Sequence, residues 1–346
     1  MSERSYKGVR RVALIGSGDL MVVAADRLNR DGYTVSALLA PRHADEALPL
    51  TGGILRVRLE DAGAMVKVVE NVNDTSSWPA EQFAGTAALA LCFGPAWMFS
   101  TAVIGRFGFG MINVNLIPVP RYLGGAHYTW QILNGNRDGG CYLQDITADL
   151  DRGDILQYET FQVPESARVP EDYFLANFEH GQQCLSAFLR AMRDGAPLRP
   201  ISYQSVNSDR LYFPRVMTLE QAFIDWRWSA DEIVRFCNAF DRPYAGAATF
   251  CNGLLVRLKN VELLKNADDF HPFAAGIIVR RIGHELVVAA RGGALSLGMV
   301  QDASGTDVRP RLREGRRLLT PAAKLEHAFA FQPRLSAQGF NVPREN

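Results

Sequence analysis

The chain has 346 residues, with 47% hydrophobic and 21% charged, which is the balance of a globular protein with a substantial core and room for two domains. Its 37 Lys/Arg offset 37 Asp/Glu, so overall charge gives no support to a polyanionic partner. The opening Met1 to Lys7 lacks the apolar stretch of a signal peptide, and no run of about eighteen uncharged apolar residues is present, so a membrane span is excluded and a cytoplasmic protein is predicted.

From the N-terminus, Arg11 to Gly16 reads as a short apolar strand. Leu20, Val23, Ala24 and Leu28 then follow a helical period that stops at Gly32, and Tyr33 to Leu39 reads as a second strand. This β-α-β unit predicts a parallel sheet. Gly16-Ser17-Gly18 lacks the third glycine of a dinucleotide fingerprint, since Asp19, Leu20 and Met21 follow, which argues against a bound nicotinamide or flavin. Further strands are predicted at Leu55 to Leu59, Thr86 to Phe93 and Gly110 to Asn115, with helices around Ala62 to Val69 and Trp97 to Arg106. The unbroken apolar run Ala87 to Cys92 predicts a central strand covered on both faces, whose exit loop Phe93-Gly94-Pro95-Ala96-Trp97 lies where open α/β sheets bind ligands.

Met111 to Leu156 carries the most chemistry. Asn113 and Asn115, at i and i+2 in an apolar β-type run, project from one face of a strand end. Two neutral amides so placed suit the polarisation of a carbonyl and the holding of its oxyanion. Asp154 follows Gly153 in a tight loop, where a carboxylate can take a proton from an attacking amine or, structurally, cap a turn. His127 follows the turn Pro120 to Gly125 at the start of a predicted helix, either facing the reacting groups or capping that helix.

This segment resembles the formyltransferase family of methionyl-tRNA, glycinamide ribonucleotide and sugar-amine formyltransferases. The family is marked by Asn-x-His at a strand end, then Leu-Pro-x-x-Arg-Gly, then Leu-Asp-x-Gly-Asp. Asn113, Pro120, Gly124 and Leu150 to Asp154 match, whereas Asn115 stands at the family's histidine and Leu123 at its arginine. The resemblance implies a mostly parallel Rossmann-like sheet and transfer of a formyl group from 10-formyltetrahydrofolate to an amine. It implies that Asn113 and Asp154 belong to the catalytic group, with Asn115 in the histidine's place, and His127 is the candidate substitute for that histidine. It further implies that the loops Cys92-Phe93-Gly94 to Trp97 and Asp149-Leu150-Asp151 clasp the donor, and that Ser17, Asp19, Arg121 and Tyr122 lie by the acceptor. With asparagine in place of histidine, a donor is kept but the group titrating near neutrality is lost, so formyl hydrolysis, other acyl transfer or a non-catalytic binding protein stay open as alternatives.

Cys141 to Thr147 and Ile155 to Val163 read as strands, and Tyr173 to Arg193 as a long helix capped at Gly195, with His180 a surface or packing residue. Residues 1–200 are thus expected as the catalytic domain, 201–223 as a linker, 224–335 as a C-terminal β-barrel and 336–346 as a tail. Within the barrel, Ser229-Ala-Asp-Glu232 is a capping box opening a helix to Ala239. Short strands are read in Asp241 to Phe250, Leu254 to Lys259, Gly276 to Arg281 and Leu286 to Ala290. Asp225-Trp226, the capping box and Pro243 to Ala247 resemble the family's C-terminal barrel. From Arg215 onward 18 Lys/Arg face 14 Asp/Glu, a weak surplus, and Arg309, Arg311, Arg313, Arg316 and Arg317 have no interleaved aromatics, so a small amine is preferred over tRNA. A homodimer is among the assemblies open to such a chain. Cys92, Cys141, Cys184, Cys237 and Cys251 are odd in number, without Cys-x-x-Cys spacing, and are expected as reduced core thiols rather than disulfides or a zinc site.

Overall fold

The structure, a computed structural model, describes residues 2–264, 269–336 and 339–341. Strand β1 (Arg11–Gly16) leads into helix α1 (Asp19–Arg30), which buries Leu20, Met21, Ala24, Ala25 and Leu28, and then into β2 (Thr34–Leu39). In chain order there follow α2 (Pro41–Ala44), α3 (Leu55–Asp61), β3 (Met65–Val68), α4 (Ala80–Phe83), β4 (Ala88–Phe93), α5 (Thr101–Ile104) and β5 (Met111–Asn115). After them come β6 (Leu123–Gly124), α6 (His127–Leu133), β7 (Asp138–Asp145), β8 (Ile155–Gln162) and α7 (Pro170–Asp194). The main sheet has the order β3-β2-β1-β4-β5-β7-β8, parallel from β3 to β5 and antiparallel beyond. Every residue of β4 is buried at the sheet's centre, as its uninterrupted apolar run requires.

Gly16 shows why the first turn is glycine: a Cβ there would lie 2.0 Å from the Phe93 carbonyl oxygen, and its φ is +133°. Only a residue without a side chain lets β1 and β4 end side by side at the site.

Two predicted elements exchange types. Leu55 to Leu59, expected as a strand, is helix α3, because Leu55 and Leu59 are buried one turn apart while Val57 is 44% exposed. Leu-Arg-Val-Arg-Leu fits either period until a partner surface selects one. The helix expected over Ala62 to Val69 is instead edge strand β3, set off from α3 by Gly63 at φ +79°. The helix expected from Trp97 to Arg106 contracts to α5, capped by Ser100, which accepts from the Val103 N–H.

Beyond α7 the expected linker is ordered: α8 (Tyr203–Val206) buries Tyr203, and β9 (Tyr212–Phe213) pairs in parallel with β6. Then come α9 (Thr218–Gln221) and α10 (Ala230–Ala239), the latter opened by the reciprocal Ser229 and Glu232 bonds that the capping box predicts. Strands β10 (Ala247–Cys251), β11 (Leu254–Leu263), β12 (Ile278–Ile282), β13 (Glu285–Ala290) and β14 (Gly293–Gln301) form a five-stranded antiparallel sheet of order β10-β11-β14-β13-β12, the small barrel-like unit. Central β14 is absent from the sequence reading, since Arg-Gly-Gly-Ala-Leu-Ser-Leu-Gly has the glycines of a turn; flanking β11 and β13 make it a strand. Helix α11 (Ala322–Ala330) and the hairpin of β15 (Arg334–Ser336) with β16 (Gly339–Asn341) end the described chain, and residues 337–338 and 342–346 of the expected tail lie outside it.

All five cysteines are buried and free. No described helix is long and apolar enough to cross a membrane. One core cluster joins the two sheets: Ile132 of α6 and Tyr173 of α7 pack with Ile233, Phe236 and Phe240, and Thr129 donates to the Ala239 carbonyl at 3.1 Å. The second unit therefore braces helix α6, which carries His127.

Candidate active site

Two clefts meet at the C-terminal end of β5. The first, of about 480 Å³, is lined by Pro95 and Trp97 to Phe99 on one side, Asn113 and Gln144 at its floor, and Asp145 to Asp151 on the other. The second, of about 870 Å³, is lined by Ser17 to Leu20, Glu46, Phe93, Gly94, Val114 to Leu116, His127, Tyr128, Phe174 and Phe178. Asn113 thus faces one cleft and Asn115 the other. Their side chains touch, Asn113 Nδ2 donating to Asn115 Oδ1 at 2.9 Å, which fits the shared strand face expected from the i, i+2 spacing.

Gln144 joins this pair and escaped the sequence reading. It is 1% exposed, lies opposite Asn113 in the β5-β7 register, receives Asn115 Nδ2 at 3.5 Å and donates to the Gly153 carbonyl at 2.8 Å. A lone amide in the apolar run Cys-Tyr-Leu-Gln was the available signal. Asn113 Oδ1 stays buried with no partner, so the first cleft ends on an acceptor that lacks a donor.

His127 is held by its Nδ1, which stands 2.9 Å from the Tyr122 carbonyl. A carbonyl only accepts, so Nδ1 carries the hydrogen and Nε2 keeps its lone pair. Burial lowers the imidazole pKa, the Tyr122 carbonyl raises it and Arg215 lowers it again; the net shift is downward and the ring is neutral at pH 7. Tyr122 contributes through its backbone, its buried ring stacking on Phe213 at 5.3 Å. Arg121 points elsewhere, exposed and 3.7 Å from Asp138.

Asp154 meets other partners than the asparagines. Its carboxylate lies 3.5 Å from Arg4 Nη2 and accepts from the Tyr203 N–H at 3.3 Å, and Arg4 also pairs with Asp145. The Asp145 pKa is raised, first by burial, with Arg4 opposing and Asp154 adding to the rise. Gly153 permits this packing, because a Cβ there would fall 1.9 Å from the Asp145 carbonyl oxygen.

In the expected donor loops, Asp149, Leu150, Asp151 and Trp97 line the first cleft, while Phe93 and Gly94 line the second. Cys92 turns into the core, where burial drives its thiol pKa up, leaving only its backbone for ligand contact. Trp97 is anchored by its Nε1 donating to the Glu70 carbonyl at 2.9 Å. Ser17 and Asp19 line the second cleft, with the Ser17 N–H already given to the Phe93 carbonyl at 2.9 Å. His180 packs as expected, stacked on Phe161 and 2.6 Å from Glu159. In the C-terminal arginine cluster Arg309 pairs with Asp307 and Arg317 lies over Phe273.

Residues 217–311 match the family model described as formyl transferase, C-terminal domain. A methionyl-tRNA formyltransferase of Caldanaerobacter subterraneus subsp. tengcongensis is 23% identical over 295 residues, spanning 84% of this chain and 92% of its own. The chain is similar to formyltransferases over most of its length. A second relative, the methionyl-tRNA formyltransferase of Methylacidiphilum infernorum, is 28% identical over 303 residues, 84% of this chain and 90% of that one. Among solved structures, a sugar 3N-formyltransferase in the presence of dTDP and 5-N-formyl-THF shares the fold at TM-score 0.62 and 12% identity, covering 86% of this chain and 98% of that one. The N-formyltransferase of Helicobacter canadensis, in complex with folinic acid and dTDP-3-aminofucose, does so at 0.61 and 12%, covering 84% and 98%.

Proposed function

We propose that this protein transfers a formyl group from 10-formyltetrahydrofolate to the amine of a small molecule. The observation that carries the reading is the contact of Asn113 and Asn115 at the junction of two clefts, one for each reactant. The match of residues 217–311 to a formyl transferase C-terminal domain and the formyl-folates present with the sugar N-formyltransferases of like fold support the donor. The first cleft suits it, with Trp97 and Phe99 as apolar wall, the polar Asp145 to Asp151 loop opposite, and the orphaned Asn113 Oδ1 needing a donor that a bound ligand must furnish. The donor supplies an activated formyl carbonyl.

The remaining roles fall to the chain. Each asparagine amide has two N–H groups and commits one of them to its neighbour, which leaves a second to receive the carbonyl oxygen as it gains charge. Gln144 fixes which way Asn115 points. His127 Nε2 takes the proton from the attacking amine, replacing the family histidine lost at Asn115. A carbon–nitrogen bond to the acceptor replaces the one to the folate nitrogen, and the amine's proton ends on that departing nitrogen. Asp154 acts at a distance, through the Arg4 and Asp145 network that shapes the donor loop. The pairing of Arg309 with Asp307 and the place of Arg317 over the Phe273 ring favour a small acceptor over tRNA.

The test is incubation with 10-formyltetrahydrofolate and a panel of amines while tetrahydrofolate release is followed. Release that requires an amine is the expected result. Release without amine identifies a hydrolase, and folate binding with no release identifies a binding protein; either outcome overturns the reading.

A further inference from the structure

The acceptor cleft contains two carboxylates that the transfer chemistry does not use. Asp19 is 1% exposed, and its Oδ1 is saturated by the Leu50 N–H at 3.1 Å, the Thr51 N–H at 2.6 Å and the Thr51 hydroxyl at 2.8 Å. Its Oδ2 is buried with no hydrogen-bond partner, and Glu46 Oε2 is in the same condition. Both residues line the cleft that holds Asn115 and His127. A buried charged acceptor left without a donor costs about 1–3 kcal/mol or more, so two of them side by side call for something that donates to both. They are close enough to feel each other: burial, and then Asp19, raise the Glu46 pKa, with the Ser17 hydroxyl and Arg42 opposing.

Nearby cationic groups do not meet that need. Arg42 acts on Glu46 electrostatically and Arg215 acts on His127, yet neither orphan oxygen receives a hydrogen bond. His43 is neutral at pH 7, its pKa pushed down to about 4 by burial and by Arg42, with the Gly16 backbone opposing. An anion is disfavoured here. Two carboxylates repel it, and the Ser17 amide is already committed to Phe93. The opposite wall is aromatic, with Tyr128, Phe174 and Phe178 presenting surfaces that suit the methylene chain or the charge of an organic cation.

We propose that Asp19 and Glu46 form a subsite for a second, protonated nitrogen of the acceptor, so that the enzyme prefers a diamine, formylating the neutral amine near His127 while the ammonium sits between the two carboxylates. This rests on the formyl-transfer reading for its catalytic consequence, but the ammonium subsite itself is testable without turnover.

The probe is a set of straight-chain diamines of about three to six carbons and the monoamines of matching length. Calorimetric binding to the full chain without folate is expected for a diamine at least tenfold tighter than for its monoamine, and Glu46→Gln, isosteric and uncharged, is expected to erase that preference. Glu46→Gln leaves the Asp19 bonds to Leu50 and Thr51 intact, which keeps the variant folded where replacement of Asp19 would free that loop. With the donor added, the ratio of diamine to monoamine kcat/KM is expected to exceed ten in the wild type and to collapse toward one in the variant. Equal binding of diamine and monoamine, or a preference that survives in Glu46→Gln, overturns the subsite whatever the turnover shows. Selective diamine binding without formyl release upholds the subsite and sinks the transfer reading, so the two failures are distinguishable.

Discussion

Replacing His127 by asparagine is expected to lower kcat/KM by roughly two to four powers of ten, the usual worth of a positioned general base. At about 1.4 kcal/mol per decade this is about 3–5 kcal/mol of lost transition-state stabilisation. The magnitude follows from the ring's setting. Nδ1 is fixed to the Tyr122 carbonyl at 2.9 Å, so the acceptor lone pair is Nε2, and that atom belongs to a residue lining the acceptor cleft. Burial lowers the histidine pKa, so the basic form persists below pH 6.5, the ordinary value. The acidic limb of a kcat/KM profile, which reports the free enzyme, is therefore expected below pH 6.5. Asparagine can still donate to Tyr122, so the start of α6 is expected to hold while proton acceptance is lost. Initial rates of tetrahydrofolate release from pH 5 to 8, for wild type and His127→Asn, make the measurement. A variant within threefold of wild type, or an acidic limb that survives in it unchanged, would refute the assignment.

Asn113→Ala removes one oxyanion donor and is expected to lower kcat by about 10²–10³; comparing single-turnover rates with folate affinity separates this from lost donor binding. His43 supplies a stability test. Its folded pKa of about 4 lies below the ordinary 6.5, so the folded state takes up a proton less readily than the unfolded chain. The resulting stability is complete above pH 6.5 and is lost as the pH falls toward 4, about 3 kcal/mol in all. Denaturant midpoints of His43→Gln should fall correspondingly less between pH 7 and 4 than those of the wild type, and equal falls would contradict the burial argument. Gly16→Ala places a Cβ 2.0 Å from the Phe93 carbonyl oxygen at a φ of +133°, so it is expected to cost several kcal/mol and disturb both clefts; a melting temperature within about 2 °C of wild type would refute this.

Much of the site was legible because its determinants are local. Asn113 and Asn115 share a face by the period of a strand, and the Ser229 capping box closes on itself within four residues. Where two periods fit one segment, the sequence misled. Leu55, Val57 and Leu59 alternate like a strand, yet Leu55 and Leu59 alone meet the core, and the strand forms at Met65 to Val68 instead.

By itself, the sequence determined the parallel sheet and the barrel-like unit that follows, because periodicity, turn residues and motif spacing are properties of neighbouring residues. The tertiary structure decided the rest: it set Gln144 against the asparagine pair, drew Asp154 to Arg4, fixed the tautomer of His127 through Tyr122 and brought Glu46 beside Asp19. Those partners are far apart in the chain or come from segments with no periodic signal. Only packing fixes which polar groups end up facing each other, and in a buried site that decides charge, protonation and the ligand that fits.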